Sequence, residues 1–187
     1  MDITWDKLEY TIKICHACRL AEARTNTVVG DGNKNAAIML VGEGPGRDED
    51  LSGTPFVGAA GKLLDRMLAS IGLDRTNVYI ANIVKCRPPN NRTPLYDEAE
   101  ACIGYLRAQF LLVRPKIIFC LGSTAARHII DPEFRITREH GFWYERKGIY
   151  ISSTYHPAAL LRDESKKREA FEDLKSLREK IVELNLI

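Results

Sequence analysis

The sequence lacks several features that would announce a function. It has no apolar run approaching the length needed to cross a membrane, no internal repeat, no low-complexity tract and no linker. Its charges nearly cancel, leaving a formal net charge of +2, so any basic surface has to come from local clustering. The opening residues, Met1 to Glu9, are charged where a secretory signal needs an apolar segment, which predicts a soluble, cytoplasmic protein. Five cysteines are an odd number for a disulfide framework, and in a reducing compartment they stay as thiols. The residues also argue against a nucleotide-phosphate cradle: the glycine-rich stretch is not followed by Gly-Lys-Ser/Thr, and Glu43, Asp48, Glu49 and Asp50 would repel a polyphosphate. At 187 residues and 45% hydrophobic, the chain can bury one sizeable core, and residues 1–187 are expected to form a single domain.

What is present centres on Val41 to Asp65. Gly42, Gly44, Gly46, Gly53 and Gly58 fall between an apolar run, Ala36 to Val41, and a helix-like run, Ala60 to Leu68. Glycines allow the backbone to approach a ligand closely, so amide N–H groups can form the binding surface for a small, nearly neutral ligand. Phe56, between Pro55 and Val57, is placed to stack on a flat ring. The bland alternative is an acidic surface loop turning into a helix.

Four short apolar runs predict strands at Ala36–Val41, Val78–Val84, Lys116–Leu121 and Ile149–Ser153. Helical spacing separates them, at residues 60–71, from Thr93-Pro94 to Val113, and in a short segment ending near Ile130. A further helix is expected at Ile3–Ile14. An amphipathic one over residues 165–184 should cover the sheet. Leu20 to Asn35 reads as a polar connection and Phe134 to Lys147 as irregular. The pattern predicts an α/β fold, a single-domain α/β/α sandwich around a four-stranded, mainly parallel sheet. Ligands of such sheets sit beyond the carboxyl ends of the strands. Those ends deliver the Gly42 loop, Asn82 to Arg92, Gly122-Ser123 and Tyr155-His156-Pro157 to one rim.

Asn82, near the end of an apolar strand, needs partners if buried, and its amide can read the edge of a base. It could equally cap a turn. His156 is a candidate for chemistry because of the loop that carries it. Lys85, Arg87, Arg92 and Arg162 ring the rim with positive charge, as a phosphate-binding groove or as a solvated face. One stacking aromatic, one amide, one histidine and a basic border suit an enzyme that extrudes a base from DNA. Cys15-His-Ala-Cys18 is a C-x2-C pair. With Cys86 and Cys102 it could close a tetrahedral zinc site or hold a [4Fe–4S] cluster, and spacing alone does not decide. Cys120, inside an apolar run, reads as a buried hydrophobe.

Three stretches carry a family resemblance: Gly42-Glu-Gly-Pro-Gly46 with Glu49-Asp50 and Gly53-Thr-Pro-Phe-Val-Gly58; Asn82-Ile-Val-Lys-Cys-Arg-Pro-Pro-Asn-Asn-Arg92; and Thr154-Tyr-His-Pro-Ala-Ala-Leu-Leu-Arg162. They closely resemble the signature stretches of the family 4 uracil-DNA glycosylases of bacteria and archaea, and the likeness runs from Cys15 to about Leu177. The resemblance implies a [4Fe–4S] cluster on Cys15, Cys18, Cys86 and Cys102, structural in role. It implies that Phe56 stacks on uracil, that Asn82 bonds its polar edge, that His156 faces O2, and that the main chain around Gly42, Glu43 and Gly44 contacts the base. In better-known relatives an aspartate of the first loop positions the attacking water. The matching position here is Gly44, which leaves open whether Glu43 or Asn91 organises water.

Glu49 is a candidate for excluding the methyl group of thymine. Leu160 or Leu161 is a candidate for filling the gap left by the flipped nucleotide, or else both pack in the core. Arg87, Arg92 and Arg162 are the expected DNA contacts. No lysine stands out as a Schiff-base nucleophile, so the implied reaction is monofunctional hydrolysis of deoxyuridine in single- or double-stranded DNA by a monomer. Two other readings are a same-fold protein that captures uracil-DNA without turnover and a zinc-stabilised protein binding a small nucleotide.

Overall fold

In the computed structural model, which describes residues 3–186, the continuous apolar runs become the centre of a sheet. The chain enters through helices α1 (Trp5–Lys13) and α2 (Leu20–Ala23), then forms strands β1 (Asp31–Gly32) and β2 (Ile38–Gly42). Helices α3 (Arg47–Ser52) and α4 (Ala59–Ala69) lead to β3 (Val78–Asn82). A 3₁₀ turn at Pro89–Asn91 precedes α5 (Tyr96–Val113), β4 (Ile117–Leu121), α6 (Ser123–Ile129) and α7 (Ile136–Glu139). Strands β5 (Tyr144–Arg146) and β6 (Ile149–Thr154) are followed by α8 (Pro157–Arg162) and α9 (Lys167–Glu183).

The sheet has six strands in the order β1-β3-β2-β4-β6-β5, not the four expected. The inner four are parallel, and the two added strands pair antiparallel at the edges. Every residue of β2, β3 and β4 is buried, which is why these strands read as unbroken apolar runs. The edge strands are two and three residues long and partly exposed, so they carry no apolar signature. They lie in the stretches read as a polar connection and as irregular.

Alternation along each strand splits the core in two. Met39, Val41, Tyr79, Ala81, Ile118 and Cys120 face one side, where Ala99, Ile103 and Leu106 of α5 and Ala125 and Ala126 of α6 cover them. Ile38, Leu40, Val78, Ile80, Ile117 and Phe119 face the other, under Leu63, Leu64, Met67 and Leu68 of α4 and Leu174, Leu177 and Ile181 of α9. The expected α/β/α layering is therefore observed, with α9 as the amphipathic cover.

Two local expectations need correction. Helix α5 begins at Tyr96, so Pro94 lies outside it; the Glu98 carboxylate accepts from the Leu95 amide at 2.8 Å and fixes the start. The glycine-rich stretch contains a helix, α3, held by Glu49 accepting from the Gly46 amide at 3.1 Å. No helix among the described residues is long and apolar enough to cross a membrane.

Candidate active site

The parallel strands end together, and their loops enclose a cleft of about 600 Å³. Register sets its floor. Gly42 of β2 lies opposite Asn82 of β3, and a side chain at Gly42 would strike the Asn82 Oδ1 and the Phe56 ring. Glycine there lets a strand, an amide and an aromatic meet at one point.

Asn82 is buried at 2% exposure, and among the described residues its Oδ1 has no hydrogen-bond partner. A buried orphan acceptor costs free energy unless a ligand supplies a donor. Its main chain is fixed from behind: the buried Lys85 donates from Nζ to the Asn82 carbonyl at 2.8 Å and to Gln109 Oε1 at 2.6 Å.

Phe56 stands beside it with its ring 5.6 Å from the His156 ring, centre to centre. His156 caps α8, its Nδ1 accepting from the Ala158 amide at 3.1 Å. A backbone amide only donates, so Nδ1 carries the lone pair and the proton of the neutral ring sits on Nε2. Burial, aided by the Arg162 charge, lowers the His156 pKa to about 4. The ring is thus a neutral donor at physiological pH. Gly122, at φ +92°, allows this packing, because a Cβ there would lie 2.8 Å from the His156 Cβ.

Glu43 lines the cleft and accepts a short hydrogen bond at Oε2 from Thr124 Oγ1, at the start of α6. The sequence reading missed Thr124; only the neighbouring Gly122-Ser123 pointed to that strand end. At Gly44 an added Cβ would lie 2.7 Å from Val84 Cγ2, so any side chain there would have to displace Val84. Asn91 Oδ1 accepts from Arg87 Nε at 2.7 Å, which leaves the Asn91 amide group as a donor.

Glu49, the candidate for excluding the thymine methyl group, lines the cleft and also holds its own loop. Its carboxylate accepts from the amides of Gly46 at 3.1 Å and of Val57 and Gly58 at 2.9 Å, bracing the loop around Phe56. Arg92 and Arg162 line the cleft, and Arg92 forms a bidentate pair with the buried Glu98, at 2.7 and 2.8 Å, that holds its guanidinium at the rim. Leu160 is 1% exposed and packs in the core with α4 and α9, which removes it as a filler of DNA gaps; Leu161 is 42% exposed.

On the covered side of β3, Cys15, Cys18, Cys86 and Cys102 line one small, mostly apolar pocket. Three sulfurs accept N–H groups: Cys15 from Ala17 at 3.4 Å, Cys86 from Arg24 Nη1 at 3.3 Å, and Cys102 from Lys85 at 3.3 Å. Burial raises the Cys86 thiol and pushes Cys102 up to about 11, so a positive group is needed to hold them as thiolates. Among the described residues, no three His, Cys, Asp or Glu side chains are gathered as a single-ion site. Cys120 is fully buried in β4, within the core.

The model of the uracil DNA glycosylase superfamily matches residues 29–175, which span the sheet, the cleft loops and half of α9. The chain belongs to that superfamily. Three relatives named type-4 uracil-DNA glycosylase agree over most of their length. The protein of Archaeoglobus fulgidus is 49% identical, with 93% of this chain and 92% of the relative covered. That of Thermotoga maritima is 46% identical over 87% of each. That of Sulfurisphaera tokodaii is 45% identical over 93% of this chain and 83% of its own. As a member of the uracil-DNA glycosylase superfamily, the chain carries its cleft at the strand ends, where the glycine-rich loop and the His156 loop face each other.

Proposed function

We propose that the protein is a monofunctional uracil-DNA glycosylase that removes uracil from DNA and leaves an abasic site. One observation carries the reading: the buried, partnerless Oδ1 of Asn82 shares a cleft with the Phe56 ring and the neutral His156 donor. Uracil offers an N3–H donor to Asn82 and a carbonyl O2 to His156. Cytosine has no proton on N3. A base must leave the duplex to reach this cleft, and Phe56 supplies the stacking that extrusion loses.

Breaking the C1′–N1 bond sends its electron pair into the base, and negative charge gathers on O2. A fixed Nε2–H donor on His156 strengthens as that charge grows, so it favours the transition state over the bound substrate. Water attacks C1′, and its proton passes to a carboxylate. Of the two candidates left open by sequence, Glu43 suits this role, because Asn91 Oδ1 already accepts from Arg87. Thr124 occupies one Glu43 oxygen and leaves the other for the water. Lys85, held by Asn82 and Gln109, is not offered to C1′ as a Schiff-base amine.

We assign Cys15, Cys18, Cys86 and Cys102 as ligands of a [4Fe–4S] cluster. Four thiols in one pocket with N–H groups aimed at three sulfurs form a donor set suited to it. The group would act as a cross-link between the amino-terminal segment, the loop after β3, and α5. In this reading the protein works as a monomer in the prokaryotic cytoplasm, on single- or double-stranded DNA.

The test is incubation with an oligonucleotide containing one uracil, beside its thymine twin. The expected result is free uracil and an alkali-labile site only in the first, with many turnovers per protein and strongly reduced rate for His156→Ala. One shifted protein–DNA band without released uracil refutes the reading.

A further inference from the structure

Phe56 has an unusual backbone for a bulky residue. Its φ is +55°, in the left-handed region that non-glycine residues avoid. Such a conformation persists only where the surroundings enforce it. Glu49 holds the amides that follow Phe56 from the cleft side, and a second group holds Phe56 from outside the cleft. Arg75, in the turn between α4 and β3, donates from Nη1 to the Pro55 carbonyl at 3.0 Å and from Nη2, in a short bond, to the Phe56 carbonyl.

The guanidinium is itself oriented by two carboxylates. Asp31 of β1 accepts from Nη1 at 2.9 Å and Asp65 of α4 accepts from Nε at 3.0 Å. Gly61 completes the clamp, since a Cβ there would collide with the Phe56 carbonyl. The edge strand β1 thus supplies one of the two acids that hold Arg75.

We propose that Arg75 is a positioning residue for base binding: by fixing the Pro55 and Phe56 carbonyls it holds the Phe56 ring at the angle needed to stack on the extruded base. The inference rests on the reading of Phe56 as the stacking face. Arg75 does not line the cleft, so its influence passes through the backbone of residue 56. The planar fork is essential, because a lysine ammonium cannot satisfy two carbonyls and two carboxylates in these directions.

The experiment compares wild type, Arg75→Ala, Arg75→Lys, Asp31→Asn, Phe56→Ala and the Phe56→Ala/Arg75→Ala double variant. KM and kcat are measured on a uracil oligonucleotide, with competitive inhibition by free uracil, below the lowest melting temperature of the set. Stacking one base on an aromatic is worth about tenfold or more in affinity, so Arg75→Ala is expected to weaken uracil inhibition and raise KM about tenfold, with a smaller change in kcat. Arg75→Lys should fall between Arg75→Ala and wild type. In the Phe56→Ala background, Arg75→Ala should change neither constant further.

Unaltered uracil inhibition in Arg75→Ala, or an additive loss in the double variant, overturns the proposal. If Phe56→Ala itself leaves uracil inhibition intact, the stacking reading is what fails. Should Arg75→Ala not fold, Asp31→Asn carries the test: a weaker loss of the same kind is expected, and no loss refutes it.

Discussion

The protonation state of His156 is open to a direct check by acidification. The structure requires a neutral ring with its proton on Nε2, because Nδ1 accepts from the Ala158 amide at 3.1 Å. Burial and Arg162 lower the pKa from 6.5 to about 4, a displacement worth up to about 3 kcal/mol. At pH 5.5 an ordinary histidine is roughly 90% charged, whereas this one is expected to be roughly 3% charged. Proteins labelled with ¹⁵N-histidine and titrated from pH 7.5 to 5.5 should keep the Nε2–H pattern in long-range ¹H–¹⁵N spectra.

The same shift has a thermodynamic consequence. Between pH 6.5 and about 4 the unfolded chain binds a proton at this site that the native one refuses. The His156 contribution is therefore intact above pH 6.5 and lost progressively as pH falls through that window. A proton on Nδ1, or half-protonation near pH 6.5, would refute the donor geometry on which the proposed chemistry rests.

Other perturbations separate the remaining parts. Glu43→Gln should lower single-turnover uracil release by about 10²–10⁴, the range for a general base, while Thr124→Val, which only frees the second oxygen, should cost about tenfold or less. Cys86→Ser should abolish iron content and visible absorption and lower the melting temperature, and a colourless wild-type protein containing zinc would overturn the cluster assignment. Gln109→Leu should destabilise the fold by about 2–3 kcal/mol in denaturant titration, since it removes a partner of the buried Lys85 ammonium.

What could be read in the sequence was whatever leaves a local signature. The inner strands are covered on both faces, so Ile38 to Val41 and Ile117 to Leu121 stand out as apolar blocks. The edge strands at Asp31–Gly32 and Tyr144–Arg146 are set by pairing with partners far along the chain, and their own residues give no hint of it. Helix α3 was hidden because Arg47-Asp-Glu-Asp-Leu-Ser52 has no apolar stripe; the bond from Gly46 to Glu49 defines it.

The site divides similarly. Phe56, Asn82 and His156 could be singled out because an aromatic in a glycine loop, an amide at a strand end and a histidine before proline are each locally odd. Thr124 and Arg75 are ordinary residues in their own segments, and their importance lies in meeting Glu43 and Phe56 across the fold. Leu160 and Leu161 illustrate a third case: adjacent and chemically identical, they are told apart only by which side of α8 faces the core.

The pairing of Gly42 with Asn82 sets a limit on how this molecule can evolve. The Asn82 amide is mounted on the frame itself, one rung along a hydrogen-bonded ladder, so shifting it by a residue would turn it to the opposite face and undo both cores. Changes in what the cleft accepts must therefore come from the surrounding loops, while the Asn82 amide stays locked in place.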